Sequence, residues 1–160
     1  MDDPSSIISH VIDDHNWDSF DINQFESIAK LILKKFGYNL SKLEVCLYLT
    51  DDKTIKSLNS EYRNKDSVTN VLSFEGDYDE HEENIQILGS IVIAYNYTLN
   101  EANEMNIPFE DHVKHLFIHG MLHLLGYDHI KDEDFEKMKE QEIFFINLLQ
   151  IKNPYSEQYD

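Results

Sequence analysis

The chain has 160 residues, of which 41% are hydrophobic and 28% charged, a balance typical of a soluble globular domain. Its formal net charge of −18 at pH 7 repels polyanions at long range and excludes simple electrostatic binding of nucleic acid by the molecule as a whole. The single cysteine, Cys46, excludes an internal disulfide, and no apolar run approaches the length of a membrane span. We expect a cytoplasmic protein with one domain over residues 1–150 and a polar tail over residues 151–160.

Hydrophobic periodicity predicts that strands and helices alternate in the first part of the chain. An apolar run over residues 7–12 predicts a first strand, and apolar side chains at helical spacing over residues 25–36 predict a long helix that ends at Gly37. Alternating apolar residues over 43–49 predict a second strand. Asp51 and Asp52 follow it and can cap the next helix.

The remaining pattern predicts two more strands, over residues 71–74 and 85–93, separated by a solvated acidic loop. Three helices are predicted over residues 97–105, 109–125 and 132–149. We expect the last helix to direct a set of apolar side chains inward, namely Phe135, Met138, Ile143, Ile146 and Leu149. The chain is therefore predicted to be an α+β domain with about four strands in one mixed sheet and helices packed on it.

Three histidines and a glycine in the helix over residues 109–125 and the segment after it form the pattern H-x-x-x-H-x-x-G-x-x-H. His119 and His123 lie four residues apart, which places them on one helix face. Gly126 can adopt the left-handed conformation that ends a helix, so that His129 can turn back towards the first two. Three neutral imidazoles with one open position are the ligand set of a catalytic zinc ion. We therefore predict a Zn²⁺ site; the alternative is a histidine-rich helix that binds no metal.

The histidine spacing equals that of the metzincin proteases, H-E-x-x-H-x-x-G-x-x-H, but Gly120 stands where those proteases have glutamate. That glutamate is the general base of a zinc protease, and glycine has no side chain to replace it. We expect Gly120 to leave space beside the metal for a phosphate group.

A second stretch, LNSEYRNKDSVTNVLSF over residues 58–74, accompanies the histidine motif. Together with HLFIHGMLHLLGYDH over residues 115–129, it resembles the YbeY family, single-domain zinc-dependent endoribonucleases of bacterial ribosomal RNA maturation. The resemblance extends over about residues 40–148. It implies a zincin-like fold, zinc ligands at His119, His123 and His129, and a functional Arg63 near the metal. It also implies cytoplasmic work on ribosomal RNA, with the small ribosomal subunit and assembly factors as partners.

Other residues near the motifs have open roles. His115 could support a ligand histidine or contact substrate, or it could be a hydrogen-bonded buried histidine. His112 is expected at the surface. Asp128 could hold the second nitrogen of a ligand histidine or form a turn. Arg63 is the only arginine in the chain and would hold phosphate oxygens through its planar fork, unless it is an ion-pairing surface residue.

Two carboxylates that the family usually has are missing, because Asn70 and Ser90 stand where aspartate is usual. If either carboxylate positions a water or an imidazole, we expect activity here to be reduced or absent. Three functions stay open: a zinc-dependent, single-strand-specific endoribonuclease, a non-catalytic zinc-stabilised ribosome assembly factor, or a zinc peptidase.

We expect weak binding to free RNA, since only a local basic patch offsets the net charge, namely Lys53, Lys56, Arg63 and Lys65.

Overall fold

One mixed sheet forms the centre of the computed structural model, which describes residues 6–79 and 81–152. Within these residues the strands are β1 (Ile8–Ile12), β2 (Leu43–Thr50), β3 (Val71–Glu75) and β4 (Gln86–Ala94). Their order in the sheet is β1-β2-β4-β3. β1, β2 and β4 run parallel, and β3 pairs antiparallel with β4 at one edge. The predicted α+β fold with a four-stranded mixed sheet is confirmed.

Helices connect and cover the strands close to the predicted positions. They are α1 (Asn23–Lys35), α2 (Asp52–Arg63), α3 (Tyr95–Met105), α4 (Phe109–Leu124) and α5 (Asp132–Leu148). Asp51 caps α2 as expected, because its side chain accepts a hydrogen bond from the Thr54 amide. A short 3-10 helix over His15–Ser19 lies between β1 and α1. None of the helices described is long and apolar enough to cross a bilayer.

The sheet separates two cores of unequal size. Alternation along β4 directs Ile91 and Ile93 into the large core, which α1, α4 and α5 complete. Val92 and Ala94 point to the opposite face and pack with Ile55 of α2. Each fully buried branched aliphatic side chain contributes about 1.5–3 kcal/mol to folding. The large core therefore holds α4, the helix that carries His119 and His123, firmly on one face of the sheet.

Two expectations about buried positions are wrong. Phe135 of α5 is 43% exposed, and the buried aromatic of that helix is Phe145. His112, expected at the surface, is 4% exposed. Helical periodicity shows which residues share a face, but the neighbours that cover that face come from distant parts of the chain.

The polar tail expected over residues 151–160 begins with a residue of the core. Ile151 is buried, and the Lys152 amide donates to Asp111 at 3.3 Å. The rest of that tail, residues 153–160, and the acidic start, residues 1–5, lie outside the described residues. The extent of the domain, residues 1–150, stays a prediction.

Candidate metal centre and adjoining cleft

The last turns of α4 bring two imidazoles together. His119 and His123 stand one turn apart, their ring centroids are 4.6 Å apart, and their Nε2 atoms are separated by 3.1 Å. Two nitrogens bound tetrahedrally to one zinc ion lie about 3.3 Å apart, given Zn–N bonds of about 2.0–2.1 Å. The helical spacing alone therefore sets a separation that one metal ion can bridge.

Gly126 turns the chain so that the third histidine joins them. Its φ of +98° is left-handed, and its amide donates to the His123 carbonyl at 3.0 Å, while the Tyr127 amide donates to the Leu122 carbonyl at 3.0 Å. The ring of His129 then lies 5.5 Å from that of His119 and 5.1 Å from that of His123. One ligand atom from each histidine lies within 4.8 Å of the others. The three side chains could thus hold a metal ion, as the spacing predicted.

The hydrogen bonds on the far side of two of these rings determine where their lone pairs point. His119 Nδ1 lies 3.0 Å from Glu142 Oε2, and His123 Nδ1 lies 3.0 Å from the Tyr127 carbonyl. Both oxygens are acceptors, so each Nδ1 carries a proton, and a ring with a single proton presents a bare Nε2. Two bare nitrogens 3.1 Å apart repel each other unless a cation lies between them. This donor set fits a zinc ion.

Glu142 is the residue at this site to which the spacing of the histidines gave no role. It comes from α5, is 3% exposed, and also contacts His115 Nε2 through Oε1 at 2.6 Å. Burial alone would raise the pKa of this carboxyl, but the hydrogen bonds with His115 and His119 outweigh burial and lower its pKa to about 2. Its signal in the sequence is a lone glutamate on the apolar face of α5, between Met138 and Ile146.

His123 is neutral at pH 7 for a separate reason. Burial, followed by the proximity of His119 and His129, lowers its pKa from 6.5 to about 4. A neutral imidazole is the form that binds a metal. The lowered pKa keeps His123 in this form down to mildly acidic pH.

The other candidate residues occupy different places around the three histidines. His115 is mostly buried and contacts Glu142, a position that agrees both with support of His119 and with a hydrogen-bonded buried histidine. Asp128 accepts a hydrogen bond from the Ile130 amide at 3.2 Å, which favours its interpretation as a turn-forming residue, and it lines the cleft in front of the histidines.

His112 belongs to a second buried polar group. Its Nε2 lies 3.0 Å from Glu101 Oε1, and the Asn70 side-chain amide donates to the same oxygen at 2.9 Å. Burial would raise the pKa of Glu101, yet the hydrogen bonds from His112 and Asn70 hold it below its ordinary value. An aspartate in place of Asn70 would lack the amide that donates here. Asn70 therefore hydrogen-bonds Glu101, and although it lines the cleft, none of the hydrogen bonds described for it reaches a ligand imidazole.

Ser90 is also removed from the histidines. Alternation along β4 places it with Val92 on the face that packs against α2, whereas Ile91 faces α4. A carboxylate at Ser90 would not stand beside the three rings.

Gly120 is needed for close packing and leaves no space for a phosphate. A Cβ atom built on it would lie 3.1 Å from Ile91 Cγ2 and 3.1 Å from Ser73 Oγ. The residue faces the sheet, so the expectation that it opens room beside the metal is wrong. Gly120 still lacks the side chain that serves as the general base of a zinc protease.

An open cleft of about 930 Å³ begins at the histidines and follows β3 to the end of α2. Arg63, the last residue of α2, donates from Nη2 to the Ser73 carbonyl, and its guanidinium lies 5.2 Å from the centre of the Phe74 ring. Ser73 Oγ lies 3.5 Å from the carbonyl of Gly120, the residue next to His119. Arg63 and the histidine cluster thus line one open cleft, in the neighbourhood that the family resemblance implied for Arg63.

Comparisons with known proteins agree with this geometry. A family model described as "Endoribonuclease YbeY" matches residues 11–150. Proteins named Endoribonuclease YbeY are 44% identical in Sinorhizobium fredii (72% of this chain, 67% of that protein) and 40% identical in Magnetococcus marinus (75% and 88%). Another, from Ruthia magnifica, is 36% identical over 93% of this chain and 99% of that protein.

A solved structure supports the fold independently. The solution structure of TM1509 from Thermotoga maritima superposes with a TM-score of 0.58 at 26% identity, covering 89% of this chain and 91% of that one. The family match spans β2, β3 and β4, the residues that line the cleft and all three histidines. This chain therefore belongs to the YbeY endoribonuclease family.

Proposed function

We propose that this chain is a zinc-dependent endoribonuclease that hydrolyses phosphodiester bonds of ribosomal RNA. The observation that carries the proposal is that His119, His123 and His129 offer ligand atoms within 4.8 Å of one another in a cleft that also contains Arg63. Membership of a family whose proteins are named endoribonucleases supplies the reaction class. Processing and quality control of ribosomal RNA in the cytoplasm, with the small ribosomal subunit and assembly factors as partners, belong to the same proposal.

The residues of the chain divide the work. When bound at the three imidazoles, zinc supplies Lewis-acid charge beside the phosphate. Arg63 lines the cleft, and its guanidinium would stabilise negative charge on the non-bridging oxygens. Glu142 holds the His119 ring in one tautomer from behind. Phosphoryl transfer depends more on such positioning and charge than on a strong carboxylate base, which agrees with the missing glutamate at Gly120.

The test compares metal content with cleavage. Purified protein is treated with a chelator, reloaded with zinc, and given single-stranded RNA, double-stranded RNA and casein in parallel. We expect about one zinc per chain and cleavage of single-stranded RNA alone, both lost in the variant His119→Ala/His123→Ala. Cleavage of casein would select the peptidase. Zinc binding and ribosome association without any RNA cleavage would select the non-catalytic assembly factor.

A further inference from the structure

An exposed tyrosine forms one wall of the cleft beside Arg63. Tyr62 lies in the last turn of α2, lines the cleft and is 60% exposed. Its ring meets Phe74 at 5.5 Å with the planes inclined at 66°. An edge-to-face contact of this kind occupies at most one face of a ring, so Tyr62 offers a flat aromatic face to solvent.

The segment that carries Tyr62 is much less acidic than the rest of the molecule. Residues 51–66 hold four cations (Lys53, Lys56, Arg63 and Lys65) and four acids (Asp51, Asp52, Glu61 and Asp66), a balance of zero in a chain of −18, and Arg63 and Lys65 line the cleft. Lys53, Lys56 and Arg63 follow one another at intervals of three and seven residues, so they share the exposed side of α2. A polyanion can therefore approach the cleft along this helix.

The combination of cations with an exposed aromatic face identifies the ligand. Proteins that bind single-stranded nucleic acid use cations along the phosphates and flat aromatic rings on which bases stack. A peptide would gain little from such a pairing, because most side chains have no flat face to present. We propose that Tyr62 is the stacking surface for one nucleobase of the RNA whose phosphate contacts Arg63. This inference rests on the proposed function and adds the residue that recognises an unpaired base.

The experiment uses the zinc-loaded protein and a short single-stranded RNA whose cleavage site has been mapped. Because stacking acts in the ground state and the transition state alike, Tyr62→Ala raises KM more than it lowers kcat, and kcat/KM falls roughly 5- to 150-fold. Tyr62→Leu keeps an apolar contact with Phe74 but loses the flat face, so its kcat/KM falls as far as that of Tyr62→Ala. The kcat/KM of Tyr62→Phe stays near that of wild type. Tyr97→Ala is the matched control, since Tyr97 is 37% exposed on α3 and does not line the cleft.

A series of RNAs with the base removed at one position at a time identifies the stacked nucleotide. Removal of the stacked base lowers the cleavage rate of wild type. Removal of the same base lowers the rate of Tyr62→Ala no further, because the two changes remove the same contact. If no position shows this dependence while wild type cleaves normally, the stacking inference is overturned and the proposed function stands.

A binding measurement separates the stacking inference from the proposed function if the protein cleaves no RNA. An RNA carrying the fluorescent base 2-aminopurine at that nucleotide, or at each position in turn if no cleavage occurs, is quenched on stacking against Tyr62. Quenching by wild type that is lost in Tyr62→Leu supports the inference even if no RNA is cut, which would overturn the proposed function alone. If the RNA is neither quenched nor cut, both are overturned.

Discussion

At the scale of single residues, Glu142 explains most about how the histidines are held. It is a buried carboxylate that accepts from two imidazoles and so determines which nitrogen of His119 is free. Carboxylate partners of ligand histidines raise their basicity and fix their orientation. The metal site thus depends on α5 as well as on α4, although α5 contributes no ligand.

We expect Glu142→Gln to weaken zinc binding about 10- to 100-fold, because a neutral amide can no longer hold the protonated Nδ1 of His119 with charge. Competition with a chelator of known affinity measures this directly. Glu140→Gln, an exposed neighbour on the same helix, serves as control. Equal zinc affinity in wild type and both variants would remove Glu142 from the site.

Acid should destabilise the metal-free protein in two steps. Unfolded His123 takes up a proton at its ordinary pKa of 6.5 but the folded residue only near 4, so stability falls as pH drops from 6.5 to 4. Glu142 stabilises the fold fully above its ordinary pKa of 4.5, and this contribution is lost as pH falls through its folded pKa of about 2. Urea unfolding at a series of pH values, with a chelator present, measures both steps.

The second step should be missing in Glu142→Gln, because glutamine does not titrate. A variant that loses stability below pH 4.5 as steeply as wild type would show that other carboxyls cause the step.

At the scale of elements, the edge strand β3 connects the two halves of the cleft. The hydroxyl of Ser73 lies near the Gly120 carbonyl on α4, and the carbonyl of Ser73 accepts a hydrogen bond from Arg63 on α2. The strand therefore fixes the guanidinium relative to the histidine helix, although Arg63 and His119 are 56 positions apart in the chain. Arg63 is exposed, so little of the fold depends on it.

We expect Arg63→Ala to lower the rate of RNA cleavage roughly 10²- to 10³-fold, as the loss of other preorganised donors does. Arg63→Lys should not restore it, since an ammonium cannot both donate to Ser73 and present a planar pair of donors to phosphate. Cleavage kinetics are measured after zinc content and melting temperature have been matched to wild type. Wild-type rates in both variants would return Arg63 to the role of a surface residue.

At the scale of the whole molecule, charge opposes the proposed substrate. The net charge is −18, and the cations Lys53, Lys56 and Arg63 lie on the exposed side of α2, whose end lines the cleft. The electrostatic field of the molecule therefore repels RNA at a distance, and the repulsion is weakest at the exposed side of α2. Delivery by a ribosomal particle would overcome that repulsion.

We expect weak binding of free single-stranded RNA that weakens further with salt, with a slope of log K against log salt of about −2 for roughly three phosphate contacts. Lys56→Glu should reduce binding and flatten the slope, because Lys56 lies on the basic side of α2. Lys137→Glu, the same change at an exposed position of α5, is the control. Tight binding that salt leaves unchanged would contradict the prediction.

The parts of the site that the sequence predicted correctly are those that depend on local geometry. His119 and His123 share a helix face because they are four residues apart. Gly126 turns the chain because glycine, which has no Cβ, tolerates a left-handed φ. The strands of the sheet followed from alternation in the same way. Every one of these relations spans ten residues or fewer.

Only the tertiary structure decided the relations between distant segments. Glu142 reaches His119 across 23 residues, and Asn70 reaches Glu101 across 31, so no local pattern could pair them. Gly120 faces the sheet rather than the cleft, and His112 is buried rather than exposed, because the orientation of α4 depends on which helices and strands cover it. Periodicity shows which side chains share a face, and long-range packing determines what that face contacts.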